Sequence, residues 1–146
     1  MQVHGDLMVQ GNVIDSSGRN GIVLYENSSG TNGTITLGDS AANYDYMDIY
    51  YKKDGCGCNS TRVDSPNGKD VNLMLNQLTS GAGTFQNLTK RIYVSGTSIT
   101  VTTDKTGFCN INHGGTGNLQ LENHIYITKV VGYNQENYQS GNRREY

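Results

Sequence analysis

Three cysteines and one histidine are the residues whose types could together hold a metal ion. Cys56 and Cys58 flank a glycine, and Cys109 precedes His113 in the run CNINH. Three thiolates and one imidazole would make a tetrahedral zinc site. However, Cys-x-Cys is tighter than the usual ligand spacing, and the two pairs lie far apart in the sequence. The favoured interpretation places Cys56 and Cys58 at an exposed hairpin tip and makes Cys109 a small buried hydrophobic residue. We therefore expect no metal and no cofactor.

Catalysis finds little support in the remaining reactive side chains. The histidines are His4, His113 and His124, and no Gly-x-Ser-x-Gly elbow accompanies them. A glycosidase needs two carboxylates across a cleft. Asp45 and Asp48 are available, but on a strand they would point to opposite faces. The sequence thus favours a non-enzymatic protein, with a glycan-cleaving enzyme as the weakest alternative.

The run YDYMDIYY suggests binding chemistry instead. Tyr46, Asp48 and Tyr50 share one parity of this predicted strand. Tyrosine rings offer flat apolar surfaces to sugar C–H faces, and carboxylates accept hydrogen bonds from hydroxyls. The competing hypothesis is that these tyrosines only stabilise the sheet through cross-strand pairs. Weaker candidates for the same glycan contact are Asn59, Arg62, Arg91 and Tyr93.

The elements that position these residues are predicted to be strands. The chain has 146 residues, of which 34% are hydrophobic, with Gly present 19 times and Pro once. Few apolar side chains and many turn formers favour short strands and one modest core. Met47, Ile49 and Tyr51 share the parity that should face this core. Ile125–Tyr133 is apolar on both parities, so we expect it to lie in the centre of a sandwich or at a subunit contact.

Turn residues predict how the strands are connected. Residues 28–33, with Asn32-Gly33, predict a hairpin turn before the strand 34–37. Residues 54–59 and 65–69 predict two further hairpins, which join the Tyr46 strand to 61–64 and then to 71–73. Residues 71–78 form the one weakly helical segment.

Charge and hydropathy exclude two classes of partner. The net charge is −2 and the pI about 5.8, so no basic stripe is present to bind nucleic acid. No stretch is long and apolar enough for a membrane span, and the first residues lack the pattern of a signal peptide. We expect synthesis in a cytoplasm and no membrane insertion.

Three segments together carry a family resemblance. Residues 3–13 alternate with glycines at 5 and 11, residues 30–51 include GTNGTITL and end in Tyr50-Tyr51, and residues 125–133 read IYITKVVGY. This pattern resembles the C-terminal domains of tail-fibre and baseplate receptor-binding proteins from phages and prophages of Gram-positive bacteria. The resemblance covers most of residues 1–134.

The resemblance implies a trimeric, all-β architecture. It divides the chain into a glycine-spaced fibrous stem or linker (1–21), an antiparallel, jelly-roll-like β-sandwich head (22–134) and a polar tail (135–146). The residues expected to anchor the fold or the homotrimer are Leu7, Val9, Ile125, Ile127 and Val131.

The resemblance also implies a function and partners. The head would bind host cell-surface polysaccharide, and the chain would contact its own copies and other tail or baseplate proteins in the virion tail. The alternative is a purely structural virion component, such as a head fibre, decoration or tail-joining protein, whose partners are other virion proteins.

Overall fold

The structure is a computed structural model. It describes residues 8–9, 12–14, 20–53, 56–78, 84–101, 106–112, 117–122 and 125–134. Side chains are described for residues 20–53, 58–76, 86–101 and 125–134.

The described residues form twelve strands and one short 3-10 helix, Ala41–Asn43, with no α-helix among them. The strands are β1 (Met8–Val9), β2 (Asn12–Ile14), β3 (Asn20–Thr31), β4 (Ile35–Thr36), β5 (Tyr46–Lys53), β6 (Cys56–Asp64), β7 (Lys69–Leu78), β8 (Thr84–Ser95), β9 (Ser98–Val101), β10 (Thr106–Asn112), β11 (Gly117–Glu122) and β12 (Ile125–Tyr133).

The strands make two sheets, and every pairing is antiparallel. The first sheet has the order β1-β2-β3-β12-β5-β6. The second has the order β11-β10-β8-β9-β4, and β7 pairs along the other edge of β8. One apolar core fills the space between the sheets and takes side chains from both. The predicted all-β antiparallel sandwich is therefore confirmed, whereas the trimer stays a prediction.

Alternation of inward-facing and outward-facing side chains along the strands builds this core. Met47, Ile49 and Tyr51 on β5 point inward and are fully buried, as predicted. Residues 71–76 on β7 alternate in the same way. The prediction of a helical segment at 71–78 was wrong, because apolar residues at every second position can be buried only by a strand. We call the side of each sheet away from this core its outer face.

Ile125–Tyr133 forms β12, as predicted from its two-sided apolar pattern. It lies between β3 and β5 in the first sheet. Ile125 and Ile127 pack into the core within one chain, while Val131 is buried on the outer face. The sequence left two positions open for this strand, the centre of a sandwich or a subunit contact. The central position is observed. A contact between subunits at these residues stays a prediction.

Two predicted hairpins were wrong, because the chain changes sheets at those turns. After Thr31 the bend leads to β4, which pairs with β9 in the second sheet. After Asp64 the turn leads to β7, also in the second sheet. Val63 and Val71 are therefore on different sheets, and both are buried in the shared core. The hairpin between β5 and β6 is confirmed, but its turn is shorter than the predicted 54–59, because residues 56–59 already belong to β6 and pair with β5.

The N-terminal residues include two short paired strands. β1 pairs with β2, and β2 pairs with residues 20–22 of β3. Leu7 lies outside the described residues, as does the side chain of Val9. The division into stem, head and tail stays a prediction.

Lys90 is the buried charged residue of the described core. It lies on β8 and is 1% exposed, among otherwise apolar inward-facing side chains. Its Nζ donates to the carbonyl oxygens of Asn32 at 2.6 Å and Ile125 at 2.8 Å. Burial lowers the pKa of Lys90 to about 8. This side chain links the second sheet to the crossover and to the start of β12.

Candidate functional site

The outer face of the first sheet is organised in rows of cross-strand partners. In one row Glu26 pairs with Lys129, Lys129 with Tyr50, and Tyr50 with Ser60. Directly opposed residues in a sheet point to the same face. These four residues, which we call the polar row, therefore lie side by side across β3, β12, β5 and β6.

The next rows form a closed aromatic cluster. The rings of Tyr46 and Tyr133 stack with centroids 5.0 Å apart, and the Arg62 guanidinium lies 4.2 Å from the Tyr46 centroid. Asp48 accepts two hydrogen bonds from Arg62, at 2.8 and 2.9 Å. Bidentate pairing to a carboxylate fixes the plane of the guanidinium over the ring. Val131 completes the buried part of the cluster.

This cluster encloses the side chain of Tyr46. Its side chain is 3% exposed and that of Tyr133 is 2% exposed, although both lie on an outer face. Arg62 and Asp48 are engaged with each other. Gly21 permits the arrangement, because a Cβ there would lie 2.5 Å from the Tyr133 ring. Asp48 is 15% exposed, whereas Arg62 keeps 46% of its side chain exposed, so of these three predicted residues Arg62 is the most accessible.

Tyr50, by contrast, borders open space on two sides. One cavity of about 340 Å³ is lined by Glu26, Ser28, Tyr50, Thr128 and Lys129. A second of about 380 Å³ is lined by Tyr50, Tyr51, Cys58, Asn59, Ser60 and Thr128. Because Tyr50 and Thr128 line both, the two cavities adjoin. We call them together the Tyr50 groove.

A β-bulge at Thr128 shapes this groove. On β12, Ile127 pairs with Tyr51 and Lys129 pairs with Tyr50, which leaves Thr128 as an extra residue. The extra residue reverses the facing of the strand. Ile127 and Val130 therefore both point into the core, and Lys129 points outward. Lys129 Nζ then lies 5.3 Å from the Tyr50 ring centroid, within range of a cation–π interaction.

The other three predicted residues differ in their position relative to the Tyr50 groove. Arg91 and Tyr93 are on the outer face of the second sheet, so the sandwich separates them from Tyr50. Arg91 approaches Asp70 at 4.0 Å, and both side chains are about half exposed. Asn59 lines the Tyr50 groove, but its Nδ2 also donates to the Met74 carbonyl at 3.0 Å. Asn59 thus joins the edges of the two sheets.

Most residues that line the groove were not predicted from the sequence. Glu26, Ser28, Ser60, Thr128 and Lys129 were not among the candidates. Lys129 carries the signal that could have found the site, because it is the one charged residue in the run IYITKVVGY. A charge in a strand apolar on both sides requires an outward position or a buried partner.

A third cavity, of about 300 Å³, lies at the other end of the first sheet. Its lining includes Tyr44, Asp45 and Ser65. Tyr44 donates a 2.8 Å hydrogen bond to Asp39, and burial together with that carboxylate raises the pKa of Tyr44 to about 12. The hydrogen bond from Tyr44 lowers the pKa of Asp39. This pair holds the 3-10 helix in place and is poorly suited to proton transfer near neutral pH.

The zinc hypothesis is not tested. The side chains of Cys56 and Cys109 are outside the described ones, and His113 is outside the described residues. Within the described part of the chain, no three His, Cys, Asp or Glu residues gather in a metal-binding arrangement. Cys58 is described, with a free and exposed thiol.

None of the described segments is a helix long and apolar enough to cross a membrane. Comparison with protein-family models finds no match for this chain, and comparison with curated proteins finds none either.

Proposed function

We propose that this chain is the head of a phage or prophage tail receptor-binding protein, which attaches to host cell-surface polysaccharide without catalysing a reaction. The observation that carries the proposal is the Tyr50 groove, a polar-lined depression with an aromatic ring at its centre. The family resemblance of the sequence supplies the biological setting.

The groove offers the chemistry that sugars need. The half-buried Tyr50 ring supplies an apolar surface for C–H groups. Around it, the Glu26 carboxylate accepts hydrogen bonds, the Lys129 ammonium donates them, and the Ser60 hydroxyl does both. A small number of placed polar groups around an apolar centre is typical of ligand sites.

The carboxylates favour binding over cleavage. Among the described residues that line the groove, Glu26 is the only carboxylate. Hydrolysis of a glycosidic bond by the usual mechanism needs two, placed on either side of the bond. This observation supports attachment as the function of the groove.

A trimer would strengthen such attachment. Single protein–sugar contacts are weak, and linking several heads raises the overall avidity through effective concentration. Light scattering on the full chain should therefore give a trimer.

The test is binding of the labelled protein to cell walls purified from a panel of Gram-positive bacteria. Tyr50→Ala should weaken binding by about tenfold or more, which corresponds to about 1.4 kcal/mol. Tyr50→Leu keeps much of the apolar volume and should also bind weakly, because it loses the flat ring.

Tyr93→Ala is the matched control, since it removes an exposed ring from the opposite face. It should bind as the wild type does, and free wall oligosaccharide should compete with both proteins. Equal binding by wild type and both Tyr50 variants would contradict the assignment of the groove. Failure of the wild type to bind any wall would contradict the function.

A structural role is the second candidate, and the outer face of the second sheet favours it. Met74 is 55% exposed and Tyr93 is 39% exposed there. Exposed Met and Tyr side chains are common at protein interfaces. Absence of wall binding, together with tight association to a neighbouring fibre protein, would support this function instead.

A further inference from the structure

The Tyr50 groove crosses the first sheet from one side to the other. Its lining residues come from β3, β12, β5 and β6. Those strands are consecutive neighbours in the sheet, so the groove spans three interstrand gaps, or about 14 Å. A site of this length is long for one sugar ring and suits several linked rings.

Both ends of the groove lie at sheet edges in the described part of the chain. β6 is the last strand on one side. On the other side, β2 pairs only with residues 20–22 of β3, so Glu26 lies beyond the end of that pairing. No described strand closes the groove at either edge, so among the described residues a ligand lying in it has room to continue past both.

The charges on the groove floor balance each other. Glu26 and Lys129 are direct cross-strand partners, and opposite charges in that position attract. On the β6 side, the described lining residues Cys58, Asn59 and Ser60 are uncharged. A polyanion would meet the Glu26 carboxylate, and a polycation would meet the Lys129 ammonium. An uncharged chain avoids both penalties.

We infer that the groove binds an internal segment of an uncharged polysaccharide, which lies across the strands with one unit beside Glu26 and Lys129 and another beside Cys58 and Ser60. Tyr50 lies between the two subsites and contacts both units. This inference rests on the proposed function and specifies the class and the binding mode of its ligand.

The test uses the full chain and two probes, the neutral and the acidic polysaccharide fractions of a Gram-positive cell wall. Each is hydrolysed to a sized series of one to six sugar units, and binding is measured by calorimetry. Affinity for the neutral series should rise by about tenfold or more from one unit to three units, because the second subsite is then filled without a second loss of translational freedom. It should change by less than about twofold between 50 and 500 mM sodium chloride.

Variants separate the subsites. Glu26→Gln keeps the shape of the side chain but removes its charge, so it should weaken three-unit fragments and allow acidic fragments to bind more tightly than they bind the wild type. Asp70→Asn makes the same chemical change on the other sheet and should alter neither. Fragments whose two ends are chemically blocked should bind as well as unblocked ones.

The outcomes distinguish failure of the binding mode from failure of the proposed function. Preferential binding of the acidic series, full affinity for single units, or dependence on a free chain end would overturn the internal, uncharged binding mode and leave attachment to glycan intact. No binding of either series, together with no binding to intact walls, would overturn the proposed function and this inference with it.

Discussion

The outer faces of the two sheets differ in the regularity of their strand pairing and in how open they are. Each is a sheet surface directed away from the core. The first is interrupted by the bulge at Thr128, partly closed by the Tyr46 and Tyr133 rings, and open at the Tyr50 groove. The second keeps regular pairing between β7 and β8, with no bulge. Shifts in the pairing register of β12 with β3 and with β5 thus accompany the groove in the first sheet. In the second sheet, regular pairing of β7 with β8 gives an exposed face of mixed polar and apolar side chains.

The same contrast governs the two lysines. Lys129 follows the bulge and points outward over Tyr50. Lys90 lies on a strand whose pairing with β7 is regular, and it stays on the inward parity with Leu88 and Ile92. A lysine side chain is expected at the surface in both cases, but the pairing register of its strand decides whether the side chain points inward or outward.

The largest expected difference between the faces is in stability. Tyr133→Ala should lower the free energy of unfolding by about 3 kcal/mol, because it empties a buried site on the outer face of the first sheet. Tyr93→Ala removes the same atoms from an exposed position and should cost less than about 1 kcal/mol. Urea denaturation followed by circular dichroism measures both.

Circular dichroism is the suitable signal because the chain has no tryptophan. Similar losses for the two variants would mean that the aromatic cluster of the first sheet adds nothing beyond an ordinary surface. The contrast between the faces would then be one of shape alone.

Local features of this fold could be predicted from the sequence, whereas the pairing of distant strands could not. Alternation within a strand is a local property, so the inward parity of Met47, Ile49 and Tyr51 was predicted correctly. The sheet that a strand joins depends on partners far away in the sequence. For that reason the turns after Thr31 and Asp64 were predicted as hairpins although they cross between layers.

The candidate site was harder to predict for the same reason. Tyr46 and Tyr50 look equivalent in the sequence, since both lie on the outward parity of β5. Their difference comes from other strands: Tyr133 and Arg62 cover Tyr46, whereas the bulge at Thr128 leaves the surroundings of Tyr50 open. Two-residue periodicity carries no information about which outward residue is covered.

The next expected effect is a rise in stability with pH that originates at Lys90. Its pKa is about 8 in the folded protein and has an ordinary value of 10.5. Between pH 8 and pH 10 the unfolded chain therefore binds more protons than the folded one. Because raising the pH removes those protons from the unfolded chain, the free energy of unfolding rises with pH in this range. The rise should be about 2 kcal/mol. Above pH 10 the raised pKa of Tyr44, about 12, acts in the opposite direction.

Lys90→Met tests the origin of this rise. The stability of this variant at a single pH says little about the origin of the rise, because two effects oppose each other. Loss of the hydrogen bonds to Asn32 and Ile125 destabilises the fold, whereas removal of a buried charge stabilises it. The slope of unfolding free energy against pH should flatten between pH 8 and pH 10. A wild type without the rise, or a variant that keeps it, would show that Lys90 is not its source.

The smallest effect on folding, and the most specific effect on the groove, should come from deletion of Thr128. Ile127 and Lys129 already pair with the adjacent residues Tyr51 and Tyr50. Removing the residue between them would leave a regular ladder with β5 in which Ile127 still points inward and Lys129 outward. We expect the free energy of unfolding to change by about 1 kcal/mol or less.

Wall binding should nevertheless fall by about tenfold or more, because Thr128 lines both cavities and the strand would flatten beneath them. Thr128→Ser, which keeps the bulge, the backbone and a hydroxyl, should bind nearly as the wild type does. If the deletion variant folds and still binds walls, then the bulge does not build the site, and the difference between the two outer faces lies in their side chains rather than in the register of β12.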